Sequence, residues 1–186
     1  MAAFDSERGK PEILAVRTAA QTRIFQVQAV DLRFANGTER TYERLTPARR
    51  PAVMVLALHE GSLMMIREYA VGTERYELTL PKGLIDEGET PEQAANRELQ
   101  EEIGMAARSL KPLRVLYSSP SHMYSPMHVF LAEDLYPSQL EGDEPEPLIL
   151  HPLPLSRLDE ILDNPATGDS RTLAALFLLQ RLLAKR

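Results

Sequence analysis

Residues 83–105 constrain this chain more than any other stretch of its 186 residues. Thr90-Pro91 reads as a helix start, with threonine as the N-cap and proline at the first helical position, and Gly104 reads as the stop. Between them Ala95, Leu99 and Ile103 fall on one apolar stripe that needs a core. Beside that stripe, Glu98, Glu101 and Glu102 crowd into an arc of about 100°. Like charges at this spacing repel by a few tenths of a kcal/mol per pair. A solvated acidic face is one account of the crowding. A hard divalent cation held by carboxylate oxygens is the other.

The formal net charge of −6 sharpens the choice. It counts against a nucleic-acid partner. It also leaves any phosphate-handling site short of positive charge, which bound metal ions supply. Hydrophobic residues at 44% and charged residues at 26% suit a globular chain. No apolar run approaches the roughly 18 residues of a membrane span. The opening MAAFDSERGK lacks an apolar signal core, and there is no cysteine. A cytoplasmic protein with no membrane partner is expected.

Residues 1–11 read as a tail. Arg23 to Leu45 reads as strand, turn and strand around Asn36-Gly37. Val53–Leu58 and Leu63–Tyr69 read as apolar strands joined by His59-Glu60-Gly61, and Tyr76–Leu80 as a short strand. Residues 83–89 read as a loop. Further strands are expected at Val115–Ser118, His128–Ala132 and Leu148–Leu153, and helices at Leu155–Leu162, with Ser156 in its cap region, and Arg171–Lys185. The pattern gives an α/β fold, a sheet flanked by helices. Residues 1–49 are expected to form a tail and β-hairpin lobe, with residues 50–186 as the main domain. A two-stranded lobe is too small to stand alone, so it is expected to mediate a homodimer.

Written out, the central segment is Gly83, five residues, Glu89, seven residues, then Arg97-Glu98-Leu99-Gln100-Glu101-Glu102-Ile103-Gly104-Met105. It resembles the signature box of the Nudix hydrolase family at every position. A chance match in a chain this long is on the order of one in ten million at average residue frequencies. The resemblance implies an α/β/α sandwich around a mixed sheet, with a β-rich N-terminal lobe, and hydrolysis of nucleoside diphosphates linked to a further group. It implies Mg²⁺ as cofactor, with Mn²⁺ able to substitute. It makes Glu98, Glu101 and Glu102 metal ligands, with the Lys82 carbonyl as a further one. Glu89 and Arg97 brace the loop, and Gly83 and Gly104 serve the backbone geometry.

Other runs resemble the ADP-ribose pyrophosphatase-like subfamily of bacterial hydrolases. These are Ile66–Glu74, Gly83-Leu84-Ile85-Asp86, Asp134-Leu135-Tyr136-Pro137 and the acidic Glu141–Pro147. They imply ADP-ribose, NADH and diadenosine polyphosphates as substrates, with AMP released. Pro120, 15 residues past the box, suits a substrate contact in that subfamily or an ordinary loop. Arg67 is a candidate for phosphate or for a strand-end ion pair. Ala70 and Thr79 depart from the subfamily's pattern, which places an arginine and a glutamate there.

The mechanism needs a carboxylate to orient or deprotonate the attacking water. Glu101, Glu144 and Glu146 are the candidates, though a run such as 141–147 is by default a solvated loop. GDP-mannose or another sugar nucleotide as substrate, an RNA 5′ end, and a non-catalytic nucleotide sensor are the alternatives. The acidic net charge argues against the RNA end, and the full glutamate set against the sensor.

Overall fold

The computed structural model describes residues 9–185, so residues 1–8 of the expected tail lie outside the described residues. The chain divides into two units. One runs up to Ala48 and includes Ser119–Ser125; the other comprises Arg49–Ser118 and the chain from Pro126 onward.

The first unit is a three-stranded antiparallel sheet of β1 (Glu12–Gln21), β2 (Gln26–Arg33) and β3 (Glu39–Leu45). The Asn36-Gly37 turn forms as expected, with the Thr38 N–H donating to Asn36 Oδ1 at 3.0 Å. Strand β1 was not expected. Every one of its side chains is exposed, so its sequence carries no alternation to betray it. It is held instead by the β2 ladder and by cross-strand pairs of Arg17 with Asp31 and of Glu12 with Arg33. Ser119–Ser125 joins this unit through the Leu45 and Ala48 N–H groups, which donate to the carbonyls of His122 (2.8 Å) and Tyr124 (2.9 Å).

The second unit carries a seven-stranded mixed sheet. Its strands are β4 (Ala52–His59), β5 (Ser62–Ala70), β6 (Arg75–Thr79), β7 (Lys82–Leu84), β8 (Met105–Tyr117), β9 (Pro126–Pro137) and β10 (Ile149–Pro154). The order is β10-β5-β4-β9-β8, with β6 on β5 and β7 on β4. The β4–β9 pair is parallel and the rest are antiparallel. Helix α1 (Pro91–Ile103) covers one face; α2 (Leu158–Leu162) and α3 (Ser170–Leu183) cover the other.

Strand β4 shows why both faces need cover. Val53, Val55 and Ala57 pack with Ala94, Ala95 and Leu99 of α1 and with Phe130. Met54 and Leu56 pack with Leu63, Met65, Leu176 and Leu179. All five β4 residues are fully buried. Each such side chain stabilises the fold by about 1.5–3 kcal/mol on transfer from water. The expected α/β/α layering and the strand-rich N-terminal region are therefore present.

Several elements differ from expectation. Strands β8 and β9 are far longer than the four or five residues their apolar cores suggested. They form one long hairpin with an irregularity between Pro112 and Arg114. The expected helix at 155–162 is a 3₁₀ turn at Leu155–Arg157 followed by the single-turn α2, with no side-chain cap from Ser156. Helix α3 is capped by Asp169, which accepts the Arg171 and Thr172 N–H groups. Among the described residues no helix is long and apolar enough to cross a membrane.

Candidate active site

Helix α1 is fixed at both ends. The Gln93 N–H donates to Thr90 Oγ1 (3.2 Å) and the Thr90 N–H to Gln93 Oε1 (2.8 Å), a reciprocal capping box. At the far end Gly104 turns left-handed at φ 70° and its N–H donates to the Leu99 carbonyl. Asn96 Oδ1 accepts the Ala107 N–H at 2.8 Å and ties the helix to β8. The apolar stripe of Ala94, Ala95 and Leu99 is buried, which turns the glutamate face toward the sheet end where β7 begins.

Arg97 organises that face. Its guanidinium reaches Glu89 Oε1 (2.9 Å) and Oε2 (3.0 Å), the Leu84 carbonyl (2.8 Å), Glu98 Oε1 (2.7 Å) and Glu101 Oε2 (2.8 Å). Glu89 in turn accepts the Asp86 N–H at 2.9 Å. Arg97 thus clamps the 84–89 loop to the helix, and it holds the Glu89 carboxyl below its ordinary range.

Gly83 has a steric reason. A Cβ there would lie 2.0 Å from Glu98 Oε1, so only glycine lets this carboxylate lie against the β7 backbone. Glu98 is only 7% exposed. Burial raises its pKa, against the opposing pull of Arg97. Glu102 accepts the Lys82 N–H at 3.0 Å. Burial pushes its carboxyl up to about 8; the Lys82 ammonium opposes this, while Glu98 and Glu68 add to it. The Lys82 ammonium itself pairs with Glu68.

Facing these glutamates across a cavity of 260 Å³ is the segment Gly142–Leu148, with Asp143, Glu144 and Glu146. Glu144 is raised by partial burial and by Glu68 and Asp143, with Lys82 opposing. Glu146 accepts a hydrogen bond from Tyr76 Oη at 2.5 Å. The site thus gathers Glu98, Glu101, Glu102, Glu144 and Glu146, with Lys82, Gly83, Glu89, Arg97 and Gly104 around them. Arg67 lies on β5 opposite Leu78 and Ile149, and the ion pair on that strand is made by its neighbour Glu68. Pro120 lines a cavity in the first unit with Ile13, Val30, Leu32 and Tyr42.

The sequence did not single out Glu68, Asp143 or Tyr76. Glu68 and Tyr76 reach the site through the β5–β6 and β4–β7 pairings, which no local pattern encodes. Asp143 stood inside the acidic run, and its spacing from Glu144 alone gave no reason to choose it.

Carboxylates that burial raises in this way are oxygen donors in want of a cation, and they fit a hard divalent metal. Among the described residues no three acidic or histidine side chains converge on one point. Glu98 and Glu101 lie on Arg97, and Glu102 lies on the Lys82 N–H.

A NUDIX domain model matches residues 48–176, which contain this entire arrangement. The chain belongs to the Nudix hydrolase family. Ahead of the Nudix domain, residues 11–44 match the model of a NudE-type Nudix hydrolase N-terminal domain. The chain is 49% identical over 174 residues to the ADP compounds hydrolase NudE of Escherichia coli (strain K12), covering 94% of each chain. It is 31% identical to the ADP-ribose pyrophosphatase of Bacillus subtilis (strain 168), over 90% of this Nudix chain and 94% of that one. A crystal structure of an ADP compounds hydrolase superposes with a TM-score of 0.92 at 48% identity, covering 97% of this chain and 98% of that one.

Proposed function

We propose that this protein hydrolyses the pyrophosphate bond of ADP-linked compounds: ADP-ribose, NADH and diadenosine polyphosphates, with AMP as the common product. The observation that carries this reading is the cavity where the buried Glu98 and the half-buried Glu101 and Glu102 of α1 face the acidic 141–148 segment. The relatives named for ADP compounds and ADP-ribose support the choice of substrate. Glu98, Glu101 and Glu102, with the Lys82 carbonyl, would hold Mg²⁺, for which Mn²⁺ substitutes. The ion supplies charge neutralisation at the pyrophosphate and acidifies water.

The chain's own groups do the rest. Arg97 and Glu89 hold the loop and helix in one register. The carboxylate-lined cavity repels a bare pyrophosphate, so binding is conditional on cations. Glu144 is the base that orients and deprotonates the attacking water. It lines the cavity, burial together with Glu68 and Asp143 raises its carboxyl above the ordinary value, and among the described residues no hydrogen bond engages it. Glu101 and Glu146 are already engaged, by Arg97 and Tyr76. Attack at phosphorus needs no covalent intermediate.

The test is a panel of ADP-ribose, NADH, diadenosine triphosphate, GDP-mannose and a simple phosphate monoester, assayed with Mg²⁺ and resolved by chromatography. The adenine compounds are expected to yield AMP. Turnover of GDP-mannose a hundredfold faster than every adenine compound would overturn the substrate and leave the mechanism. Tight binding with no cleavage would replace hydrolysis with sensing.

The assembly we propose is a cytoplasmic homodimer. The first unit leaves Ile13, Val16, Ile24, Phe25 and Tyr42 at 46–71% exposure, an apolar surface its own three strands do not cover. Light scattering at micromolar protein is expected to give twice the chain mass, and the monomer mass alone would reject the dimer.

A further inference from the structure

The segment from Glu141 to Leu148 crosses the glutamate cavity as a strap fixed at its two ends. Before it, the Ser138 N–H donates to the Gly104 carbonyl (3.0 Å), the Leu140 N–H to the Gln100 carbonyl (3.2 Å) and Ser138 Oγ to Gln100 Oε1 (2.9 Å). After it, β10 pairs with β5 from Ile149 onward. Between these anchors, among the described residues, the strap makes a single hydrogen bond, from Tyr76 Oη to Glu146 at 2.5 Å. The tyrosine is itself held. It stands opposite Tyr69 on the neighbouring strand, the rings edge to face with centroids 5.4 Å apart. Pro145 and Pro147 flank Glu146 and restrict φ on either side, so fixing Glu146 restrains the backbone two residues away at Glu144.

We propose that Tyr76 is a positioning residue for hydrolysis, tethering Glu146 so that the strap lies over Glu98, Glu101 and Glu102 with Glu144 aimed into the cavity. Glu146 is then the tether's acceptor and not a base. This rests on the reading of Glu144 given above. A misplaced base slows the chemical step and leaves ground-state binding nearly untouched.

Four variants and two readouts decide it. With ADP-ribose and Mg²⁺, Tyr76→Phe is expected to lower kcat about tenfold with KM within about twofold. Glu146→Ala should match it, and the double variant should fall no further than either single one. Glu146→Gln keeps an acceptor oxygen for the tyrosine and should retain kcat within about threefold of wild type. The second readout needs neither metal nor turnover. Glutamate-specific endoprotease can cut at Glu141-Gly142, whereas Glu144 and Glu146 are each followed by proline and resist. In metal-free protein that cut should be severalfold faster in Tyr76→Phe than in wild type. Equal cutting rates with equal kcat would overturn the tether. A hundredfold loss in Glu146→Gln would overturn it differently, by making Glu146 the chemical group. If wild type cleaved no ADP compound, the substrate reading would fail, and the protease comparison alone would still decide the tether.

Discussion

Helix α1 and the 141–148 strap bring carboxylates to one cavity on very different frames. The helix has a capping box at one end, a left-handed glycine at the other, a buried apolar stripe, and an arginine that binds three of the local glutamates. Its acids are placed by the same packing that makes the core. The strap has no ladder, no buried apolar anchor between Glu141 and Pro147, and one hydrogen bond. Its acids are placed conditionally. A hydrolase gains from that division, because charge-binding groups must be ready before substrate arrives while a base need only be right at the moment of attack. Damage to the helix should therefore cost both binding of the ion and the chemical step. Damage to the strap should cost the chemical step alone.

The largest effect expected is from the ion. Chelation by EDTA should abolish turnover, and Mg²⁺ or Mn²⁺ should restore it; full activity in metal-free buffer would remove the reason for the helix's acidic face. Glu102→Gln comes next, with kcat at least about a hundredfold lower and the fold intact by circular dichroism. Gly83→Ala should lower kcat by about tenfold or more, because the added Cβ displaces the Glu98 carboxylate from a position 2.0 Å away. Wild-type kinetics in this variant would show that the contact is unimportant.

Arg97→Lys is expected to destabilise by about 2 kcal/mol in urea unfolding, since an ammonium cannot serve Glu89, Glu98, Glu101 and the Leu84 carbonyl together. The same measurement on Tyr76→Phe should show a much smaller change, and a comparable one would erase the contrast between the two frames.

The last expectation concerns pH dependence without metal. Glu102 titrates near 8 in the folded chain and at the ordinary 4.5 unfolded, so the folded state holds the extra proton. Its contribution favours folding below about pH 4.5 and is lost as pH rises toward 8. In chelator, the Tm of wild type minus that of Glu102→Gln should fall steadily across that window. A constant difference would mean that Glu102 is not desolvated.

Helix α1 was readable from sequence because its cap, proline, apolar period and glycine stop all agree, and its acidic face followed from the period alone. The apolar centre of the sheet was readable too, in Val53–Leu58. What could not be read lies where pairing decides and pattern is silent. Strand β1 buries nothing, so Ile13, Leu14 and Val16 gave no period. Lys111, Pro112 and Arg114 masked most of β8, a strand set by its partner β9. At the site, Glu101 and Glu102 belonged to a local motif, whereas the contacts of Glu68 with Lys82 and of Tyr76 with Glu146 span 14 and 70 residues of chain. The acidic strap was visible as composition, but which of its acids is free and which is tied is a tertiary fact.

The parallel β4–β9 pairing also bears on how the chain is made. Ala52 to Ala57 lie beside Met127 to Ala132, partners separated by about 75 residues. During synthesis the most apolar strand leaves the ribosome long before its neighbour exists. At elongation rates of about 5–20 residues per second, it waits for several seconds before that neighbour emerges, and the face that α2 and α3 cover waits longer still. The hairpin it forms with β5 can appear at once, but the sheet cannot close around it until β9 has emerged. Nascent chains stalled between residues 60 and 125 should therefore be the ones that chaperones hold.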